Sequence, residues 1–390
     1  METRIINARI FTPEEILEHH EIILKDGKIL DIVPSEKASL RRKDDPAVID
    51  ATGLMITPGL IDIHIHGCMG ADSMDSSPAA LQTMSTFMIR HGVTSFFATT
   101  VTNPQKDILR ALDVMHDCKN KLDGAQMEGA HIEGPYINAA YKGAQNPAFL
   151  REPQQKEYAE WMEKDVVRLI TIAPELVGAD ELMRYCIRKN AAIAIGHSSA
   201  TFDQVIHAAD LGASQATHLF NGMSGLHHRE PGTAGGALYD ERIFTQIISD
   251  GIHLHPAIVD LTVKIKGIER VILITDAIRA AGLPDGEYDL GGQMVTVAQG
   301  TARIANGSLA GSTLTLDQAI RNTMEFTGLP FHSVLQMASS TPAAAMGISG
   351  TKGSIKIGHD ADLTFFDKEY QVCATMVHGE FKFKKESFGG

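Results

Sequence analysis

Between residues 55 and 276 the chain repeats one rhythm of apolar runs and mixed stretches. The runs lie at 55–66, 93–101, 125–133, 167–174, 191–197, 213–220, 244–253 and 271–276. They read as continuous Val, Ile, Leu and Ala rather than as alternations. Ala191-Ala192-Ile193-Ala194-Ile195 is an example, and this is the pattern of a parallel strand buried on both faces. The intervening stretches have helical character, as at 77–91 and 103–120. Pro78 after Ser77 and Pro104 after Asn103 match an N-cap followed by the first helical position. Eight strand-and-helix units predict an α/β fold, a (β/α)8 TIM barrel. A β-hairpin insertion at 286–304 and helices at 313–326 and 331–346 are expected to follow it.

The two chain ends read differently. Short strands are predicted at 4–10, 21–25, 28–33 and 47–50, with Asp26-Gly27 as a tight hairpin turn. Similar alternation returns at 353–357, 362–366 and 375–378. A lone terminal strand set is marginally stable, so both ends together are expected to form one small β-sandwich domain. That division gives 1–57 and 350–390 to the sandwich and 58–349 to the barrel. A chain of 390 residues accommodates a barrel of about 250 residues and a minor domain.

Composition narrows the partners. A mean hydropathy of -0.05 and 44% hydrophobic residues describe an ordinary globular chain. No apolar run reaches the ~18 residues of a membrane span, and Met1-Glu2-Thr3-Arg4 leads into a strand rather than a signal peptide. The four cysteines, Cys68, Cys118, Cys186 and Cys373, show no CxxC spacing. Free thiols and a cytoplasmic location are expected. A net charge of -13 argues against nucleic-acid and membrane-surface partners. It leaves room for an anionic small molecule, which needs only a local cationic pocket.

The chemistry sits at the predicted strand ends. In Ile61-Asp62-Ile63-His64-Ile65-His66 the two histidines share one face of an extended strand. Side by side they can be metal ligands or simply hydrogen-bonded histidines of a half-buried strand. The third run ends in His131-Ile132-Glu133, the fifth in His197, the sixth in His218 and the eighth in Asp276. In a TIM barrel these ends converge on one mouth. Four histidines, Glu133 and Asp276 would therefore meet there. Such ligands suit zinc, iron or manganese, and a glutamate can bridge two metals.

These residues resemble the amidohydrolase superfamily. Within it, His131-Ile132-Glu133-Gly134-Pro135-Tyr136, Gly196-His197-Ser198, Thr217-His218-Leu219-Phe220-Asn221-Gly222-Met223, Arg229-Glu230-Pro231-Gly232, Thr275-Asp276-Ala277 and Leu309-Ala310-Gly311-Ser312 resemble the N-acetylglucosamine-6-phosphate deacetylases over essentially the whole chain. The resemblance implies hydrolysis of the sugar acetamide and a divalent metal, one or two per subunit. Zinc or iron come first, manganese or cobalt next. It makes Glu133, His197 and His218 ligands of the metal common to that family, and His64 and His66 ligands of a second. Asp276 would be the catalytic acid/base and also touch a metal. His253 would contact substrate near the acetamide. Asn221, Gly222 and Arg229 would hold the sugar phosphate, Leu309, Ala310 and Gly311 would make backbone contacts to the sugar, and Ala144 and Gln145 would also bind substrate. Gln145 stands where some members carry a substrate-contacting histidine. A homodimer is also implied, with the Arg229 region near the partner's site.

Rival amidohydrolases such as dihydroorotases, dipeptidases and nucleobase deaminases often bridge two metals with a lysine on the fourth strand. Here that run is Val167-Arg168-Leu169-Ile170-Thr171-Ile172-Ala173-Pro174, without lysine, which passes the bridging role to Glu133. A metal-free binding protein on the same barrel would be expected to have lost ligands or the aspartate.

Overall fold

The structure, a computed structural model, describes residues 2–38, 47–386 and 388. Eight parallel strands form one sheet in sequence order: β1 (Leu60–Ile65), β2 (Val93–Thr99), β3 (Gln126–Glu133), β4 (Val167–Ile172), β5 (Ala192–Ile195), β6 (Gln215–Ala216), β7 (Phe244–Ile247) and β8 (Val271–Leu273). The sheet closes between its first and last strands. Asp276 N–H donates to His64 O and His66 N–H to Ala277 O, both at 2.9 Å. Ile65 and Ala277 form a parallel bridge there. Helices wrap the outside. Helix Gln105–Cys118 buries Ile108, Ala111, Leu112, Met115 and Cys118, the spacing of one helical face laid on the barrel.

Two antiparallel-rich sheets lie at the chain ends. One orders Lys28–Pro34, His20–Lys25, Glu2–Ile6 and Ala47–Asp50. The other orders Glu380–Lys384, Val372–Val377, Leu363–Phe366, Met55–Pro58, Arg9–Phe11 and Ile16–Leu17. They share an apolar core that includes Ile5, Ile22 and Leu24 of the first sheet and Ile56, Phe365 and Met376 of the second. The Asp26-Gly27 turn forms as expected, with φ of 50° and 76°. Both values are positive, as a two-residue hairpin turn that follows strand twist requires.

Several boundaries move. The run 55–66 splits at Pro58 into Met55–Pro58, paired with Leu363–Phe366, and β1. Proline cannot donate to a ladder, and the chain changes sheets there. The run 4–10 breaks at Asn7, whose φ is 63°. The helix expected from 104 begins at Gln105, with Pro104 as its N-cap. The insertion at 286–304 is a three-stranded sheet, Gly286–Leu290, Gln293–Ala298 and Thr301–Ile304. The helix expected at 331–346 is two, Phe331–Gln336 and Ser340–Ala345. Residues 353–357 form no strand; Gly353 instead packs so closely on the Ser339 carbonyl that a Cβ would sit 2.8 Å from it. Among the described residues no helix is long and apolar enough to cross a membrane.

Candidate metal centre and active site

The barrel mouth gathers the six strand-end residues. His64, His66 and Glu133 form one group able to hold a cation, and Glu133, His197 and His218 form another. Glu133 is common to both. Its Oε1 lies 3.0 Å from His218 Nε2, 3.2 Å from His197 Nε2 and 3.5 Å from His64 Nε2. Its Oε2 lies 3.1 Å from His66 Nε2. Asp276 Oδ1 is 3.3 Å from His64 Nε2 and 3.2 Å from His66 Nε2. All six side chains are buried.

The hydrogen bonds behind the rings decide what these atoms offer. His197 Nδ1–H donates to Tyr141 O at 2.8 Å, and His218 Nδ1–H to Asn221 O at 3.1 Å. Gln246 Nε2 donates to Gln215 Oε1 at 2.9 Å, so Gln246 Oε1 is left to accept from His64 Nδ1–H at 3.3 Å. In the neutral tautomers these bonds favour, the Nε2 atoms of His64, His197 and His218 carry lone pairs directed toward Glu133. His197 and His218 place theirs 3.1 Å apart. His64 Nε2 is buried without a well-formed hydrogen bond. Lone pairs this close repel unless a cation sits among them, so the donor set fits a divalent metal.

Ionisation agrees with a site short of positive charge. Burial would lower the His66 imidazole, yet its bonds to Asp276 and Glu133 raise it to about 9. His64 is raised for the same reason, chiefly by Asp276 and Glu133 against its own burial. Burial would raise the Glu133 and Asp276 carboxyls, but the facing imidazoles hold both well below the usual carboxylate range. His131 behaves differently. It lies inside the barrel, bonded to Thr171 Oγ1 at 2.7 Å, and burial beside His64 pushes it well below 6.5. It is a neutral core histidine.

Local backbone strain positions three of these side chains. His197, His218 and Asp276 have φ of 48°, 27° and 48°, a left-handed conformation that costs a non-glycine residue about 1–3 kcal/mol. Neighbours hold it in place. Glu175, just beyond β4, accepts from Ser198 Oγ at 2.7 Å, Ser199 N–H at 2.6 Å and Asn138 Nδ2 at 3.0 Å. This clamps the turn after His197. A Cβ at Gly222 would sit 2.8 Å from His197 Nδ1, so only glycine lets that loop close on the ring.

A cavity of about 310 Å³ opens over the cluster. Of the residues expected to contact substrate, Ala144, Gln145, Asn221, Gly222, His253, Leu309 and Gly311 line it. Ala310 is buried in an apolar cluster with Ile278 and Val295 instead, and the adjoining Ser308 reaches the cavity. Arg229 is exposed, with Nη1 2.7 Å from His228 Nε2, and does not line the cavity of its own chain. Among the described residues no lysine or arginine lines it. His253 is tied through Nδ1 to Asp250 Oδ2 at 2.7 Å, which leaves Nε2 as its free nitrogen. Sequence reading missed Glu175, Gln246, Phe220 and Leu290. Glu175 carried the same signal as the others, a carboxylate just past a strand end. Phe220 stood in the segment 217–223 without being assigned a contact, and Gln246 and Leu290 carried no signal.

Comparison with known proteins agrees with this geometry. The model of the amidohydrolase family matches residues 55–386. The chain is 38% identical to an N-acetylgalactosamine-6-phosphate deacetylase from Escherichia coli O157:H7, over 97% of this chain and 99% of the relative. It is 37% identical to an N-acetylglucosamine-6-phosphate deacetylase from Bacillus subtilis (strain 168), over 97% and 96%. The crystal structure of N-acetylglucosamine-6-phosphate deacetylase from Pasteurella multocida superposes with a TM-score of 0.92 at 31% identity, covering 98% of this chain and 99% of that one. With residues able to hold a divalent metal gathered at the mouth of a closed eight-stranded barrel, the chain belongs to the amidohydrolase family.

Proposed function

We propose that this chain hydrolyses the acetamide of N-acetyl-D-glucosamine 6-phosphate, releasing acetate and D-glucosamine 6-phosphate, in amino-sugar catabolism. The observation that carries the reading is the convergence of His64, His66, Glu133, His197, His218 and Asp276 beneath a cavity that all of them but His64 line. The similarity to deacetylases of phosphorylated N-acetylhexosamines over 97% of the chain supports it. The His64–His66 pair favours two metals, Glu133 being common to both candidate groups, with zinc or iron as the first candidates.

Amide hydrolysis needs an activated water, a polarised carbonyl and a protonated leaving amine. A divalent metal held by these ligands supplies Lewis acidity and a more acidic water. Asp276, anionic and within 3.3 Å of both His64 and His66, takes the proton of the attacking water. It then gives that proton to the sugar nitrogen as the C–N bond breaks. His253, braced by Asp250, when protonated donates from Nε2 to the developing oxyanion. The cavity walls at Ala144, Gly222, Leu309 and Gly311 shape the sugar site.

The phosphate needs a cation that the cavity's own lining lacks. Arg229, a planar fork suited to phosphate, lies outside it. In our reading Arg229 serves the cavity of a second copy in a homodimer. The division into a barrel (58–349) and a small β-sandwich (1–57 and 350–390) belongs to the same proposal. Residues 1, 39–46, 387, 389 and 390 of that sandwich lie outside the described residues. The four buried, free cysteines suit the reducing cytoplasm.

The test is acetate release by chelated and metal-reconstituted protein. N-acetylglucosamine 6-phosphate and its galactosamine epimer should be compared, because a relative at 38% identity carries the epimer's name. Activity that returns with a divalent metal, and is higher on the glucosamine compound, is expected. Higher activity on the epimer reassigns the substrate, and no activity with any divalent metal overturns the reading.

A further inference from the structure

We infer that Gln145 is a positioning residue that orients the shared carboxylate of Glu133 and so sets the affinity of the second metal position. Gln145 lines the cavity, as expected of a substrate contact, yet both ends of its amide are already engaged. Oε1 accepts from Thr102 N–H at 2.8 Å. A backbone N–H can only donate, so this bond fixes which way the amide faces. The NH2 group is thereby turned to Glu133 and donates to Oε2 at 2.7 Å. Gln145 is 5% exposed and Glu133 is 2% exposed, so water does not compete freely for this bond.

The bond is asymmetric with respect to the ligand groups. Oε1 of Glu133 faces His197, His218 and His64, whereas Oε2 faces His66 at 3.1 Å. The terminal torsion of a glutamate is soft, and the Oε1 contacts alone would let the carboxylate plane swing. A donor on Oε2 stops that swing. Each carboxylate oxygen has two lone pairs, so Oε2 can accept from Gln145 and still offer an electron pair on the His66 side. The loop that carries Gln145 is braced as well. Gln145 N–H donates to Lys142 O at 2.9 Å, Gln293 Nε2 donates to Ala144 O, and Tyr141 O accepts from His197. One short loop therefore supports Glu133 and His197 together. The inference rests on the two-metal reading above.

The test counts metal rather than turnover. Metal-free wild type, Gln145→Met and Gln145→Asn are titrated with zinc, and bound zinc is measured per chain. Methionine keeps the length without the donor, and asparagine keeps the amide but falls short. We expect two zinc per wild-type chain. In both variants the first should bind as in wild type and the second roughly 10- to 100-fold more weakly, as for loss of a partner behind a metal ligand. With cobalt(II), the visible band of the first equivalent should be unchanged and that of the second shifted. Variants that bind both metals as wild type does, or lose both equally, overturn the inference. A wild type that binds a single zinc overturns the two-metal reading instead. With no second position to tune, the inference about Gln145 falls with it, whereas two zinc with unchanged affinities in the variants overturn the inference alone. If Gln145→Met does not fold, Gln145→Asn decides alone.

Discussion

At the base of the barrel, Lys352 sits among three carboxylates: Glu128 at 3.3 Å, Asp360 at 3.1 Å and Asp362 at 2.6 Å. Lys28 adds a second cation on Asp360. At the mouth, Glu133 and Asp276 face four imidazoles, and among the described residues no lysine or arginine lines the cavity above them. The mouth cluster is buried; at the base Lys352, Asp360 and Asp362 are buried while Glu128 is half-buried and Lys28 exposed, and both clusters join strands far apart in sequence. The base supplies permanent positive charge of its own, two lysines against three carboxylates. The mouth offers lone pairs and anionic oxygens in excess of fixed cations. A buried charge cluster that is closed on itself ties elements together. One with no lysine or arginine of its own is suited to take in a cation.

The widest separation between the two should come from Asp276→Asn. Turnover of the metal-loaded protein should fall roughly 100- to 10,000-fold, the range for loss of a general acid–base. Zinc per chain should remain near the wild-type value, which elemental analysis reads. Near-normal acetate release would remove Asp276 from the chemistry.

Lys352→Met should do the opposite, leaving metal content unchanged and costing about 3–5 kcal/mol of stability in urea unfolding, as for removal of one partner from a buried ion cluster. The signs on both sides of neutrality follow. Burial would raise Asp360, but Lys28 and Lys352 hold it below its ordinary 3.8. Its contribution is thus present above pH 3.8 and lost as pH falls through the lower folded value. Burial would lower Lys352, but Asp362 and Glu128 raise it above 10.5. Its contribution is present below pH 10.5 and fades only as pH rises through the higher folded value. The variant should flatten both limbs of the stability profile. Loss of zinc instead would mean that the two ends are not separate.

Arg229→Ala should have the smallest effect on the fold, within about 0.5 kcal/mol for an exposed side chain. It should raise KM for the phosphorylated sugar more than for free N-acetylglucosamine. Equal change on both would take phosphate recognition away from it. Mixing Arg229→Ala with Asp276→Asn chains tests whether one copy serves the other, since mixed dimers should recover one intact site.

Much of the mouth was legible because a parallel barrel turns strand order into position. His64, His66, Glu133, His197, His218 and Asp276 each close an apolar run, and every such end must reach the same rim. The base was not legible. Glu128 stands more than 200 residues from Lys352, and no periodicity links them. Gln145 was expected to contact substrate rather than to brace a carboxylate, since nothing local announces Thr102 N–H on one end of its amide and Glu133 on the other. The sixth run spans 213–220 by hydropathy, yet only Gln215–Ala216 pair as strand. Beyond them His218 and Phe220 turn left-handed, with φ of 27° and 73°, to bring His218 onto Glu133.

The order and apolar character of the eight runs, together with the residue that ends each one, are properties of the sequence alone. They suffice for the barrel and for the list of candidate ligands, because burial on both faces and a common rim follow from strand type and topology. Which lone pairs point inward, which amide braces which carboxylate, and which charge cluster is closed or open were decided only in three dimensions. Hydrogen bonds and ion pairs depend on a few tenths of an ångström between groups that hydropathy cannot place together.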